Sequence, residues 1–331
     1  MRSGISYKWL LLFSLIVLVL PAYKENGAMA QSAHNSSFKV IGYLPVGRHD
    51  LSGFLSNFDF GSITHLNLAF INPDSSGAFA DIPVIPQIVH LAHRAGVKVL
   101  MSMGGGGIPA YFTGFLTDDK RAAFVQSIAS TLDKYQLDGV DVDLEGSAID
   151  QHYAPFVSDL SSMVRARKKL LTAAVATPYG ANTPDAALAN FDFINIMSYD
   201  KTGPWRPSNP GPHAPYDSAV SDLVYWGKTR SIPKFKMTLG LPFYGYGFGP
   251  GNMTSDMNFS KIVAAYPASA YDDQVALPDG ETMYYNGITT IRKKTTLAMQ
   301  ETSGIMIWEL LQDAQGPVSL LKNIHDVLNG K

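Results

Sequence analysis

Eight short runs rich in apolar, β-branched and aromatic residues recur along the chain, and their spacing restricts the fold more than any other feature. They are FKVIGYL (38–44), ITHLNLAF (63–70), VKVLMSM (97–103), GVDVDLE (139–145), LLTAAVA (170–176), FDFINIMSY (191–199), KMTLGLPF (236–243) and GIMIWEL (304–310). Runs of this length and composition read as strands. Helical patterns lie between them. Phe124, Ile128 and Leu132 step by four behind Asp118 and Asp119, which suit a helix start. Phe156, Leu160 and Met163, and later Leu321, Ile324 and Leu328, keep a helical spacing too. Strands alternating with helices imply a parallel sheet, and eight such units close a (β/α)8 TIM barrel, so the expected class is α/β. An open doubly wound sheet is the competing architecture, and it would carry a glycine-rich phosphate turn after an early strand. GGGG (104–107) follows the third run without the GxGxxG spacing, and the barrel is preferred.

The N-terminus reads as a targeting segment. Arg2 and Lys8 bracket a basic stretch, and WLLLFSLIVLVL (9–20) is shorter than the roughly 20 residues that span a bilayer. AMA (28–30) is a small-x-small cleavage pattern. Residues 1–30 are therefore expected to be a signal peptide and 31–331 the mature barrel, with an uncleaved anchor as the alternative. The chain has no cysteine, which excludes disulfides, a thiol nucleophile and a lipoprotein anchor. A bacterial exporter fits, with a secreted or periplasmic protein free of the membrane after cleavage. A formal net charge of -2 supplies no basic field for nucleic acid or a membrane surface. No cofactor is implied, and a monomer is expected.

One run carries chemistry. In DGVDVDLEG (138–146) three acids occupy every second position, Asp141, Asp143 and Glu145. On a strand these share one face, while Val140, Val142 and Leu144 share the other. Apolar residues suit the helix layer of a barrel, so the acids look inward, and Glu145 closes the strand at the end where barrel active sites lie. Burying three carboxylates is costly unless they share protons or hydrogen bonds. Mutual repulsion raises the pKa of whichever acid stays neutral. Glu145 would then be a general acid, with Asp143 and Asp141 sharing a proton behind it. A calcium loop is the rival reading of DVDLEG, but its twelfth position holds His152 instead of Glu and its Val and Leu spacers suit a strand, so no metal is expected.

DGVDVDLE (138–145) resembles the DGxDxDxE signature of glycoside hydrolase family 18, the chitinases and endo-β-N-acetylglucosaminidases. SMGG (102–105) is similar to the family's SxGG, MSYD (197–200) to its MxYD, and GIMIWEL, with Trp308, to the end of its eighth strand. The likeness runs from about Phe38 to the C-terminus. It implies that Glu145 protonates the glycosidic oxygen, that Asp143 and Tyr199 hold the substrate's N-acetyl group, and that Asp141 supports Asp143. Trp308 would floor the subsite of the sugar being attacked, Tyr43 and Phe70 would line it, and Met197 and Asp200 would contact substrate. It also implies cis peptides at Ala69–Phe70 and Trp308–Glu309.

The residues favour this chemistry in their own right. Ordinary retaining glycosidases place two carboxyls on opposite sides of the sugar, about 5–5.5 Å apart. Asp143 and Glu145 are neighbours on one face of one strand, so the substrate's own acetamido oxygen becomes the candidate nucleophile. Asp200 and Glu309 are further strand-end acids and leave a protein nucleophile open. Several positions depart from the family pattern: Leu144 stands where many members have Trp, Gly146 where they have Tyr, and Tyr246 where YGR would place Arg. Roughly residues 246–287 follow the seventh strand, enough for a short excursion instead of a full inserted domain. The expected activity is cleavage of β-1,4 bonds next to N-acetylglucosamine, in chitin or chito-oligosaccharides. An endo-β-N-acetylglucosaminidase on N-glycans or peptidoglycan, and a non-catalytic carbohydrate-binding barrel, are the alternatives. Trp205, Tyr244, Tyr246 and Phe248 could meet sugar or only brace loops, and His213 suits loop ordering better than catalysis.

Overall fold

The computed structural model describes Met1, residues 38–47 and residues 50–331, so the expected signal peptide and its cleavage site lie outside the described residues. Eight parallel strands close into a barrel: β1 (Lys39–Pro45), β2 (His65–Ala69), β3 (Lys98–Gly104), β4 (Gly139–Asp143), β5 (Leu170–Val175), β6 (Phe193–Ile196), β7 (Met237–Pro242) and β12 (Gly304–Trp308). β12 pairs with both β1 and β7, which completes the ring. The doubly wound alternative is excluded.

The connecting helices are α1 (Ser52–Asn57), α2 (Ile85–Arg94), α3 (Arg121–Tyr135), α4 (Tyr153–Ala166), α5 (Asp185–Asn190), α6 (Tyr216–Val224), α7 (Phe259–Ala265), α8 (Ile288–Glu301) and α9 (Leu320–Leu328). Phe124, Ile128 and Leu132 form the buried stripe of α3, and Phe156 and Leu160 that of α4. Fully burying one such side chain is worth about 1.5–3 kcal/mol, which fixes the face each helix turns to the barrel. Alternation along the strands separates two apolar clusters. Val40, Val99, Val140 and Val142 pack outward against the helices, while Ile41, Tyr43, Phe193, Tyr199 and Met306 fill the lumen.

The excursion after β7 is short, as expected, but it is a folded unit. β8 (Tyr244–Phe248), β9 (Thr254–Asn258), β10 (Gln274–Ala276) and β11 (Thr282–Tyr284) form an antiparallel sheet in the order β10-β11-β8-β9, with α7 between β9 and β10. Buried Lys294 of α8 donates to Asn286 Oδ1 at 2.8 Å and to the Ala214 carbonyl at 2.7 Å, tying the end of this unit to the loop after β6. Among the described residues, no helix is long and apolar enough to cross a membrane.

Candidate active site

The site grows from β4. Its alternation sends Val142 and Leu144 to the helix layer and turns Asp141 and Asp143 into the lumen. Glu145 continues the extended backbone just past the strand end, with φ -122° and ψ 158°. Asp141 is completely buried and accepts two hydrogen bonds on each oxygen. Thr172 donates at 2.6 Å and Asn195 at 3.2 Å to Oδ1, and Tyr43 at 2.7 Å and Ser102 at 2.8 Å to Oδ2. Ser102 and Thr172 lie directly opposite Asp141 in register on β3 and β5. Burial raises the Asp141 carboxyl, and these donors work in the opposite direction.

This arrangement corrects one expectation. No hydrogen bond joins Asp141 to Asp143, as a shared proton would need: the acceptor positions of Asp141 are already filled, and Asp143 Oδ1 is buried without any hydrogen-bond partner. Burial first, then the charges of Glu145 and Asp141, push the Asp143 carboxyl well above the usual range. Burial first, then the charge of Asp200, raises Glu145. A carboxyl kept protonated at the end of a barrel strand is what a general acid requires.

An aromatic floor adjoins the acids. The Phe70 and Trp308 rings stack with centroids 5.5 Å apart and planes 23° apart, and Tyr43 tilts against Trp308 at 5.5 Å. The peptides Ala69–Phe70 and Trp308–Glu309 are both cis, as the resemblance implies. The glycine loop after β3 makes the stack possible: Gly105 has φ +90°, and a Cβ there would lie 2.4 Å from the Phe70 ring. Asn72 pins this loop by accepting from the Gly104 N–H at 2.7 Å and donating to its carbonyl at 2.9 Å. The next glycine runs beside the acid, where a Cβ on Gly106 would be 3.7 Å from Glu145 Oε1.

The segment after β6 supplies the opposite wall. Tyr199 is nearly buried in the lumen, with its hydroxyl 3.8 Å from Met306 Sδ; burial first, then the charge of Asp143, raises its pKa further above neutrality. Met197 packs in the same cluster, and nothing in its contacts singles it out for sugar binding. Asp200 adopts a left-handed backbone with φ 58° and accepts from Tyr244 Oη at 2.5 Å. Asp222 of α6 clamps this turn from behind, accepting from Ser198 Oγ at 2.7 Å and pairing with Lys201 at 2.8 Å. His213 is buried, with Nε2 3.2 Å from the Tyr244 carbonyl; its Nδ1 is 3.4 Å from Asp200 Oδ1 but not aligned as a hydrogen bond. That is a loop-ordering position. Trp205 meets Tyr246 edge-on at 5.6 Å and remains 55% exposed.

Thr172, Asn195 and the Asp222 clamp escaped the sequence reading. Thr172 and Asn195 had a signal, being polar residues at inward positions of otherwise apolar runs. Asp222 had none, because its partners come together only through the fold. Among the described residues, no group of three or more His, Cys, Asp or Glu side chains is arranged to hold a metal ion.

The sequence model of glycosyl hydrolases family 18 matches residues 39–313, nearly the entire barrel. The chain belongs to family 18. Its fold superposes on the GH18 chitinase ChiB from the chitin utilization locus of Flavobacterium johnsoniae with a TM-score of 0.82 and 37% identity, over 89% of this chain and 94% of that one. By sequence it is 33% identical over 226 residues to a chitinase-like effector of Moniliophthora roreri and 28% identical over 323 residues to Chitinase A1 of Niallia circulans. Those matches take in 59% and 71% of this chain but 55% and 46% of the relatives, so the chain spans about half their length. Family 18 relatives come from fungi, bacteria, plants and animals, which lends no support to a specifically bacterial origin.

Proposed function

We propose that this family 18 barrel hydrolyses β-1,4 bonds next to N-acetylglucosamine in chitin or chito-oligosaccharides, with retention of configuration. The observation that carries the proposal is the pair Asp143 and Glu145, neighbours on one strand face, both raised by burial, beside an aromatic floor. Glu145 gives its proton to the glycosidic oxygen as the bond to the anomeric carbon breaks. Two acids on one face do not flank a sugar ring, so the substrate's acetamido oxygen attacks that carbon and closes a cyclic oxazolinium. Asp143 and Tyr199 orient the acetamido group, with Asp141 held rigid behind them. Water then opens the ring, giving its proton to Glu145 and restoring the acid. Trp308, Phe70 and Tyr43 form the platform, and Asp200 sets the charge around Glu145. The name chitinase borne by two of the relatives supports chitin as the substrate class.

A second reading is a non-catalytic carbohydrate-binding barrel, prompted by the chitinase-like effector. The presence of Glu145, Asp143 and Tyr199 together favours hydrolysis. Incubation with chitotetraose, a high-mannose glycopeptide and peptidoglycan, with products read by mass spectrometry, separates the possibilities. Chito-oligosaccharide products are expected. Cleavage of the glycopeptide or peptidoglycan alone would shift the substrate to an endo-β-N-acetylglucosaminidase type, and no cleavage of any would favour the binding barrel. We further propose export with cleavage after Ala30, which N-terminal sequencing of the secreted protein would reveal as a chain beginning at Gln31.

A further inference from the structure

Asp222 is buried on α6, and its carboxylate grips the chain on both sides of two site residues. Past the end of β6, Met197 and Tyr199 turn into the lumen, while Ser198 turns toward α6 and is completely buried. Ser198 Oγ donates to Asp222 Oδ2 at 2.7 Å. Lys201 Nζ donates to Oδ1 at 3.0 Å and lies 2.8 Å from Oδ2. Both contacts are charge-assisted, and with the Asp222 and Lys201 side chains only 5% and 23% exposed the ion pair is poorly screened by solvent. Between the two anchors stand Tyr199 and Asp200. Asp200 has φ 58°, a left-handed conformation that a residue with a Cβ keeps where its surroundings enforce it. Its Oδ1 accepts from Tyr244 Oη at 2.5 Å, and its charge acts on Glu145. Tyr199 feels the charges of Asp143, Asp200 and Glu145. The clamp therefore holds, from the helix side of the barrel wall, the two residues that face the acids of β4 across the lumen.

We propose that Asp222 is a positioning residue for the hydrolysis: by gripping Ser198 and Lys201 it fixes where Tyr199 and the Asp200 carboxylate stand relative to Glu145. It acts only through the residues it brackets, from the helix layer and not from the lumen. The inference rests on the reading of Glu145 as the acid.

Two variants loosen the clamp with different changes in charge. Ser198→Ala removes a hydrogen bond and no charge, and Lys201→Met removes a positive charge. In each, the Glu145 carboxyl is titrated by carbon NMR on glutamate-labelled protein, whose five glutamates are few enough to resolve, with Glu145→Gln to assign the signal. The groups that face the site stay as they are: Asp143 and Tyr199 beside Glu145, and Tyr244, Tyr246 and His213 beside Asp200. Behind the clamp, Lys294 of α8 feels the charges of Asp273, Asp222 and Lys201. The charge of Asp200 raises Glu145, so letting Asp200 withdraw moves the Glu145 titration to lower pH. Positioning predicts that downward move in both variants. A charge acting directly through space predicts no move for Ser198→Ala and an upward one for Lys201→Met. A titration that stays or rises in either variant overturns the proposal. On chitotetraose, Asp222→Asn should lower kcat about tenfold or more with KM little changed, since misplacing a catalytic group by about an ångström can cost about 10²-fold. An unchanged kcat overturns the proposal as well, and if Asp222→Asn does not fold, the two titrations decide. Hydrolysis of chitotetraose by the unaltered protein reports on the hydrolase reading separately, because the titrations need no turnover.

Discussion

At Glu145, burial and the charge of Asp200 both favour the protonated carboxyl. Glu145→Gln keeps its shape but has no proton to give, so turnover of chitotetraose should fall about 10²–10⁴-fold with binding largely kept. A kcat close to that of the unaltered protein would place the acid elsewhere. Asp143→Ala and Tyr199→Phe remove the groups proposed to act on the acetamido oxygen as it attacks. Both should lower kcat more than they raise KM, and a pure KM effect would assign them to ground-state binding. The three acids and their shared inward face were legible in the sequence because a period of two on a strand is unambiguous, and the five fixed positions of the signature singled out Glu145 as the candidate acid. The proton arrangement was not legible. Alternation places Asp141 next to Asp143 but says nothing of the donors from β1, β3, β5 and β6 that occupy Asp141.

The barrel strands were legible at the scale of elements, each being a β-branched run bounded by helical spacing. The sheet after β7 was not. Its strands are three to five residues long, and TSDMN of β9 has no apolar period; antiparallel pairing with Tyr244–Phe248 supplies what its composition lacks. Five strands meet in the Asp141 network, and removing its centre leaves donors from four of them unpaired in the lumen. Asp141→Ala should therefore destabilise the fold by about 3–5 kcal/mol in urea unfolding. A loss within a few tenths would show that the donors find other partners. Gly105→Ala is a second test of element geometry. With φ +90° and the Phe70 ring 2.4 Å from the new Cβ, the loop or the Phe70–Trp308 stack has to shift. Weaker binding of chito-oligosaccharides is expected, and unchanged affinity would detach the stack from substrate recognition.

For the whole molecule, buried acids set the pH dependence of stability. Glu309 has its pKa lifted from 4.5 to about 7, and Asp143 and Glu145 shift the same way. Such groups cost nothing while they are protonated in both folded and unfolded chains. As pH rises from 4.5 toward 7, the unfolded chain ionises and the fold resists, so stability is lost across that window. Glu309→Gln should remove its share, on the order of a few kcal/mol, and flatten the profile there. Parallel profiles for the two proteins would contradict the buried state of Glu309. The barrel as a hydrolase that uses its substrate's acetamido group is tested most directly by following chitotetraose digestion with proton NMR in the first minutes. Newly formed reducing ends should appear as the β-anomer and only later equilibrate to the α-anomer. Products that appear first as the α-anomer, or no products at all, would contradict it.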